Sequence, residues 1–267
     1  MTTKNDLCRD IVCTGTVILR EYGSRLTEPG HRKEKVSLVL LSRSVRQLQA
    51  IAGLVECTFV SDAWVLYRCL LERYLLFTHL CKTGEFEVYD DWCFKRRYEG
   101  LNRIKSIHGF KGKRGMRNRR FSEEEKGRYS RVQDDERVKR WRRPDMETVA
   151  RDEGMKFLYD AGYDWASGHV HASSQEGEAD YRLLIGHKCD ESSLNAAVVL
   201  DNAALVTVLH LQEFANEPEH NWRKVVYDLL KAFAMRAGGE GSDYSEALTK
   251  VVSLHKLGEG LCLPATG

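Results

Sequence analysis

The sequence predicts an all-α fold, a multi-helix bundle with a charged helical insertion and a basic loop. Apolar residues recur every three or four positions along most of the chain, which is the spacing of a helix with one buried face. Only four prolines occur in 267 residues, and they stand where this periodicity stops. The run from Trp64 to Cys81 is apolar on nearly every side, which is typical of a helix at the centre of a bundle. We therefore expect one helical domain over residues 1–267, with 100–145 as a basic, charge-rich insertion.

Four helices are predicted in the first part of the chain. Their apolar periodicity covers residues 4–25, 33–59, 63–83 and 85–106. Pro29-Gly30 ends the first of them. Ser61-Asp62 is predicted to cap the third, because a side-chain oxygen before a helix can accept a hydrogen bond from a backbone amide of its first turn. This third helix contains the central apolar run.

The rest of the chain is predicted to be mainly helical as well. Ser122 and Glu125 form a capping box that opens a fifth helix, which runs to about Arg143 and stops before Pro144. A loop is expected over 173–189, with a candidate short strand at 181–186. Asn221 is predicted to cap a later helix. The further predicted helices cover 147–154, 155–172, 194–214, 222–237 and 244–257.

Composition argues against several classes of protein. The eight cysteines are scattered and include no C-x-x-C pair, so we expect reduced thiols and neither a zinc ribbon nor a disulfide framework. The first ten residues carry no secretory pattern. The central apolar run contains Arg68, Glu72 and Arg73, each of which would cost roughly 2.5 to 3.5 kcal/mol at the centre of a bilayer. We therefore expect a cytoplasmic protein that does not contact a membrane.

Positive charge is concentrated in one part of the chain. Between Arg103 and Arg143, sixteen Lys and Arg stand against six Asp and Glu, and residues 100–122 hold eight basic residues and no acidic one. The glycines of this stretch predict a loop that can hold phosphates with its cations and backbone amides. A solvated loop that only increases solubility is the alternative. The predicted nucleic-acid-binding residues are Arg103, Lys111, Lys113, Arg114, Arg117, Arg119 and Arg120.

Two charges lie in the middle of the central apolar run. Arg68 and Glu72 are four residues apart and therefore share one face of the predicted helix. Burying an ion costs several kcal/mol before its partners offset that cost, so we expect this pair to have a further polar partner. The pair either holds the helices in register or belongs to a functional site, and both interpretations remain open.

A second polar cluster follows at residues 163–171, with the sequence YDWASGHVH. On a helix Ser167 and His171 fall on one face, whereas His169 falls on another, so we expect no zinc site here. A neutral His171 beside Ser167 can act as a general base or as a hydrogen-bonding clamp. A satisfied structural histidine at a helix end is the alternative. No P-loop, G-x-G-x-x-G or H-E-x-x-H pattern occurs, and we expect no metal or cofactor.

These motifs resemble those of an uncharacterised bacterial helical family, which pairs an R-S-x-x-E helix with a later Y-x-x-x-S-x-x-x-H helix. The resemblance covers about residues 36–174 and leaves out the basic region. It implies an all-helical fold and carries no established activity. Cys69 stands where the family has its serine. The residues that match the two motifs are Arg68, Glu72, Tyr163, Ser167 and His171.

The chain is also loosely similar to the helical nuclease group named for nucleotide binding in higher eukaryotes and prokaryotes. Ribonucleases of that group carry an arginine followed by a histidine after four to six residues. Arg103 and His108, beside the basic loop, have this spacing. In a chain with many arginines and histidines the spacing alone decides nothing.

Together these observations give two hypotheses about function. In the first, the bundle brings Arg68 and Glu72 close to Ser167 and His171, and these four form the catalytic site of a metal-independent ribonuclease of a bacterial defence or toxin system. His171 is then the base, and Arg68 stabilises developing phosphate charge. In the second, the protein is a non-catalytic scaffold whose basic loop binds nucleic acid or an acidic protein surface. A small-molecule enzyme is a third option, and the apolar helices suggest a homodimer.

Overall fold

The computed structural model describes residues 3–24, 32–106, 121–170, 181–182, 184–186, 191–217, 221–240, 243–256 and 261. The all-α prediction is confirmed, because these residues form helices and their connections and contain no β-strand. The helices are α1 (Lys4–Gly23), α2 (Arg32–Glu56), α3 (Val60–Thr83), α4 (Phe86–Ser106), α5 (Glu123–Asp134), α6 (Glu136–Arg140), α7 (Met146–Asp152), α8 (Lys156–Leu158), a π-helix (Tyr159–Tyr163), α9 (Asp164–Gly168), α10 (Glu191–Asn216), α11 (Lys224–Ala237) and α12 (Ser245–Lys256).

Local hydrogen bonds explain where the helices begin. At α5 the predicted capping box is confirmed, since the Glu125 amide donates to the Ser122 hydroxyl at 3.0 Å and the Ser122 amide donates to the Glu125 carboxylate at 2.9 Å. Thr3 and Asp6 form the same motif at α1. The predicted fifth helix is wrong beyond Asp134, because the Asp135 carboxylate accepts the Arg137 amide at 2.8 Å and starts a new helix.

Three further local predictions are wrong. Ser61-Asp62 lies within α3, because the Phe59 carbonyl already accepts the Ala63 amide at 3.1 Å. Asn221 does not cap α11, which begins three residues later, and Asn221 has a positive φ of 43°. The candidate strand at 181–186 is helical at Tyr181, where the backbone carbonyl accepts the Ile185 amide at 3.1 Å. In the first and third cases a backbone hydrogen bond accounts for the local conformation.

The contacts of the chain divide it into two compact units. The major unit contains Met1–His79 and Pro144–Gly267, and the minor unit contains Leu80–Arg143. The expectation of one domain stays a prediction. Most of the predicted insertion, 100–145, falls within the sequence of the minor unit.

In the major unit, α1, α2, α10 and α11 pack against one another around an aliphatic core. Gly15 of α1 allows a close approach to α2, since a Cβ there would lie 2.8 Å from a methyl carbon of Val45. Small residues at such crossings let helices pack at short distance. The fully buried side chains of this core include Ile11, Ile18, Leu41, Leu48, Val206, Leu211, Phe214 and Phe233.

The minor unit packs differently, with aromatic and charged side chains of α4 facing α5 and α6. Tyr98 stacks on Tyr129 with 4.1 Å between the ring centroids. Arg128 bridges Asp90 and Asp91 at 2.6 and 2.7 Å, and its guanidinium lies 4.4 Å from the ring centroid of Phe94. Side chains of this kind combine burial with charge, which suits a small and highly charged unit.

Two helices, Arg32–Glu56 and Asn195–Asn216, are long and apolar enough to cross a membrane by length and composition. Core helices of soluble proteins have the same properties. Both helices contribute to the core of the major unit, where Leu41 and Leu211 are fully buried. The cytoplasmic location stays a prediction.

Candidate functional site

Helix α3 positions Arg68 and Glu72 on one face, as their spacing predicts. The Arg68 Nε atom lies 3.4 Å from Glu72 Oε1, and the two side chains are 19% and 17% exposed. Their neighbours Tyr67 and Leu71 are fully buried. The pair therefore lies at the edge of the core, where solvent still reaches it.

The further partner of this pair is Tyr163, from the end of the π-helix. Arg68 Nη2 donates a 2.8 Å hydrogen bond to the Tyr163 hydroxyl, which in turn donates to Glu72 Oε1 at 2.9 Å. The Arg68 guanidinium carbon also lies 4.5 Å from the centroid of the Tyr163 ring. We call Arg68, Glu72 and Tyr163 the Arg68 cluster.

The environment keeps Arg68 charged and Tyr163 neutral. Burial, followed by the hydrogen bond to Glu72, raises the pKa of the Tyr163 phenol, although Arg68 opposes this. Burial acts against the charge on Arg68, but Tyr163 and Glu72 outweigh it and hold the pKa of the guanidinium above its ordinary value. At neutral pH Tyr163 is therefore a neutral hydroxyl between the Arg68 cation and the Glu72 side chain.

A π-helix delivers Tyr163 to this position. Within Tyr159–Tyr163 the ring of Tyr159 stacks on that of Tyr163, with 4.6 Å between the centroids. Gly162 lies so close to Tyr67 that a Cβ there would be 2.4 Å from the tyrosine oxygen. Single π turns inside helices are frequent at functional sites. The sequence predicts a regular helix over 155–172 and gives no signal for this turn.

The structure places Ser167 one turn beyond Tyr163. The Ser167 hydroxyl donates a 2.7 Å hydrogen bond to the Tyr163 carbonyl, so its proton is used within its own helix. His171 lies outside the described residues. Of the four predicted catalytic residues, the structure therefore brings Arg68 and Glu72 together and gives the place of Ser167. The catalytic roles of all four stay predictions.

Three buried donors on α3 lack a hydrogen-bond partner among the described residues. They are Arg68 Nη1, the Tyr67 hydroxyl and Trp64 Nε1. Burial raises the pKa of Tyr67, so its hydroxyl keeps its proton. Trp64 packs edge-on against Tyr67 at 5.5 Å between ring centroids and stacks on His169 at 6.4 Å. Native proteins contain few such groups, and a cluster of them marks a place where a polar ligand or water can bind.

The predicted nucleic-acid-binding residues are only partly described. Arg103 is exposed on α4. The other six fall in residues 107–120, outside the described part of the chain, and they are Lys111, Lys113, Arg114, Arg117, Arg119 and Arg120.

The minor unit contains a basic groove that sequence reasoning missed. It is an open cavity of about 400 Å³ between α4 and α6. We call it the α4–α6 groove. Four of its residues occur at positions 92, 95, 96 and 99, the spacing of one helix face, and this signal could have been found in the sequence. The lining residues are Trp92, Lys95, Arg96, Glu99, Val138, Lys139 and Arg142.

Comparisons with known proteins place the site within a family. Residues 34–183 match the model of a family of unknown function (DUF5677). The match covers more than half of the chain. The matched range contains the Arg68 cluster and Ser167, and it ends before α10. Neither the curated proteins nor the solved structures give a match. Among the described residues, no three His, Cys, Asp or Glu side chains form a group that could hold a metal ion.

Proposed function

Because the chain belongs to the DUF5677 family, whose function is unknown, we propose a function from its own residues: the protein binds RNA and cleaves it without a metal ion. The observation that carries this proposal is the state of Arg68. Its guanidinium is held by Tyr163 and Glu72, while Nη1 has no partner within the described part of the chain. A cation fixed in this way can stabilise the charge that develops on a phosphate in the transition state.

The chemistry of arginine favours a phosphate as the ligand. A guanidinium stays charged when partly buried, and its planar fork matches the geometry of two phosphate oxygens. Glu72 offsets the charge of Arg68 in the resting protein, and the neutral Tyr163 hydroxyl fixes the direction of the fork. Such preorganisation removes the need to reorient the cation during the reaction.

In the proposed reaction, His171 takes the proton from the ribose 2′-hydroxyl and Arg68 stabilises the charged phosphate. The 2′ oxygen forms a new bond to phosphorus and the bond to the 5′ oxygen breaks. The leaving oxygen receives a proton from water, and the hydroxide that this leaves takes the proton back from His171, so the products are a 2′,3′-cyclic phosphate and a 5′-hydroxyl. The role of His171 rests on the sequence pattern, in which it follows Ser167 by four residues.

The test is RNA cleavage by the purified full chain in the presence of a chelator. We expect transfer RNA or ribosomal RNA to be cut, and Arg68→Ala and His171→Ala each to lower the rate about 100-fold or more, as the loss of one oxyanion donor does. Arg46→Ala is the matched control, because Arg46 is exposed on α2 and, among the described residues, bonds within its own helix to Gln49 at 2.9 Å. Intact RNA at high protein concentration, or full activity of both variants, contradicts the proposal.

One observation favours the second hypothesis, a non-catalytic scaffold that belongs to the same nucleic-acid-binding class. The members of the Arg68 cluster are joined by hydrogen bonds through the Tyr163 hydroxyl, and such a network can specify packing without any chemistry. In that case Arg68→Ala lowers only thermal stability, and no RNA is cut. Binding would then survive His171→Ala and be lost when Arg117, Arg119 and Arg120 are neutralised.

A further inference from the structure

We infer that the α4–α6 groove of the minor unit binds single-stranded nucleic acid, with a base stacked against Trp92 and phosphates contacted by Lys95, Arg96 and Arg142. The inference rests on the proposed function for the class of its ligand. It adds a binding site that is separate from the Arg68 cluster, and its residues differ from those of the predicted basic loop.

The charge of the groove favours a polyanion. Lys95, Arg96, Lys139 and Arg142 line it together with one acidic residue, Glu99. The minor unit as a whole contains twenty Lys and Arg and eleven Asp and Glu, so its formal net charge is +9, in a chain whose net charge is +2. A local excess of this size attracts phosphate backbones, because binding releases their condensed counterions.

Trp92 gives the groove a surface on which a base can stack. Its ring is partly exposed and is supported by Trp141, with 4.9 Å between the centroids. Trp141 is itself buried, and its Nε1 donates to a carboxylate oxygen of Glu85 at 3.2 Å. The guanidinium of Arg96 lies 5.3 Å from the Trp92 ring. A supported aromatic ring beside a cation is the usual arrangement for stacking an unpaired base.

The cations have defined positions around this ring. Arg142 Nη1 donates to the carbonyls of Lys139 and Trp141 at 2.6 and 2.9 Å, which fixes its guanidinium at the α6 side. Lys95 and Arg96 lie on α4, on the other side of the cavity. Lys139 forms an ion pair with Glu136 at 3.1 Å, so it contributes less to phosphate binding. The groove therefore has phosphate-binding groups on both walls.

The groove fits a single strand better than a duplex or an acidic protein. In a duplex the bases are stacked on each other and cannot reach Trp92. A cavity of about 400 Å³ has the size of a small-ligand pocket, in the range of roughly 300 to 1,000 Å³. An acidic peptide would use the cations but has no need of the aromatic ring.

The experiment measures binding of the full chain to labelled oligonucleotides by fluorescence anisotropy. The probes are a single-stranded uridine oligonucleotide with non-cleavable 2′-O-methyl sugars, a thymidine oligonucleotide, a duplex of equal length and polyglutamate. We expect both single strands to bind, the duplex about 10-fold or more weakly and polyglutamate more weakly still. Equal affinity for all four probes overturns the inference. The two single-stranded probes distinguish RNA from DNA.

Variants assign the binding to the groove. Trp92→Leu is expected to weaken single-strand binding about 10-fold. The double variant Lys95→Gln, Arg96→Gln changes partly or fully exposed side chains, so it folds even where Trp92→Leu does not. It is expected to reduce the slope of log affinity against log salt concentration by the equivalent of about two phosphate contacts. Arg140→Gln, on α6 but outside the groove, is the matched control. Normal binding by the double variant overturns the inference.

The outcomes separate this inference from the proposed function. If RNA is cut and the groove variants bind single strands like the unmodified protein, the groove inference fails and the proposed function stands. If single strands bind in the groove and no RNA is cut, the ribonuclease proposal fails and the groove inference stands.

Discussion

The major unit contains two buried polar groupings that differ in one decisive respect. His210 of α10 is fully buried, with its Nδ1 3.0 Å from the Ser44 hydroxyl of α2 and its ring 4.6 Å from that of Phe77. Arg68 of α3 is about a fifth exposed and lies beside a π-helix. The first grouping is enclosed by the core, whereas the second is open to solvent. Both groupings therefore contain buried polar atoms. Exposure of the side chain to solvent is what distinguishes a candidate site from a structural contact.

The largest expected effect comes from removing Arg68. Arg68→Ala removes the guanidinium that contacts the partly buried Glu72 at 3.4 Å, and breaking such a pair costs about 3 kcal/mol of unfolding free energy. Chemical denaturation measures this loss. The double variant Arg68→Leu, Glu72→Leu removes both charges and is expected to recover most of the stability. A double variant as unstable as Arg68→Ala would show that packing of the arginine stem, and not charge pairing, dominates.

The enclosed grouping is expected to respond to pH. Burial, with a smaller effect of Arg73, lowers the pKa of His210 to about 3 from an ordinary value of 6.5. The unfolded chain therefore binds this proton more readily, so the stability that neutral His210 contributes is full above pH 6.5 and is lost as pH falls towards 3. The loss is on the order of a few kcal/mol. Denaturation at pH 7 and pH 4 should show a smaller difference in His210→Leu than in the unmodified protein.

The result at low pH has a matched control in the same unit. His255 is only partly buried and lies 2.9 Å from Glu21, so His255→Leu is the matched replacement of a histidine outside the core. If His210→Leu and His255→Leu change the pH dependence equally, the enclosure of His210 is not its cause.

A smaller effect is expected at the π-helix. Gly162→Ala places a Cβ against the Tyr67 ring, and overpacking of this kind costs about 2 kcal/mol. Tyr67→Phe removes the closest atom, the hydroxyl oxygen, so the alanine should cost less in that background. Thermal unfolding of the two single variants and the double variant measures the coupling. Additive costs would mean that Gly162 and Tyr67 do not constrain each other.

The smallest effect is expected for Tyr163→Phe. It removes the hydroxyl that joins Arg68 to Glu72 and keeps the ring beneath the guanidinium, so it should cost about 1 kcal/mol. If the Arg68 cluster is a catalytic site, the activation free energy of cleavage should rise by much more than the unfolding free energy falls. An equal loss in both, measured by thermal unfolding and RNA cleavage, would place Arg68 among structural contacts such as His210.

Sequence patterns predicted what depends on neighbouring residues. The helical spacing of Arg68 and Glu72, the need for a polar partner and the capping box at Ser122 all follow from residues within one or two turns. Tyr163 could be placed near the pair only through the motif resemblance, because 91 residues separate it from Glu72. Long-range packing of this kind leaves no periodic signal.

The errors also have a common physical cause. Ser61 and Asp62 have the residue types of a helix cap, but the Ala63 amide donates to the Phe59 carbonyl, so α3 already starts at Val60. Asp135 lies in a periodic stretch, yet its carboxylate binds the Arg137 amide and divides the helix. The capping preference of a residue type shows which side chains can form such local hydrogen bonds, and tertiary packing decides which of these bonds form.

The π turn before Tyr163 also sets the phase of all the helix that follows it. An α-helix advances by about 100° per residue, so a single residue deleted within Tyr159–Tyr163 would turn Ser167 by roughly that angle around the axis. Ser167, which is now partly exposed, would then take the place of buried Ala166. Insertion or loss of one amino acid at this point thus changes which residues of α9 face the core, without altering any side chain of that helix.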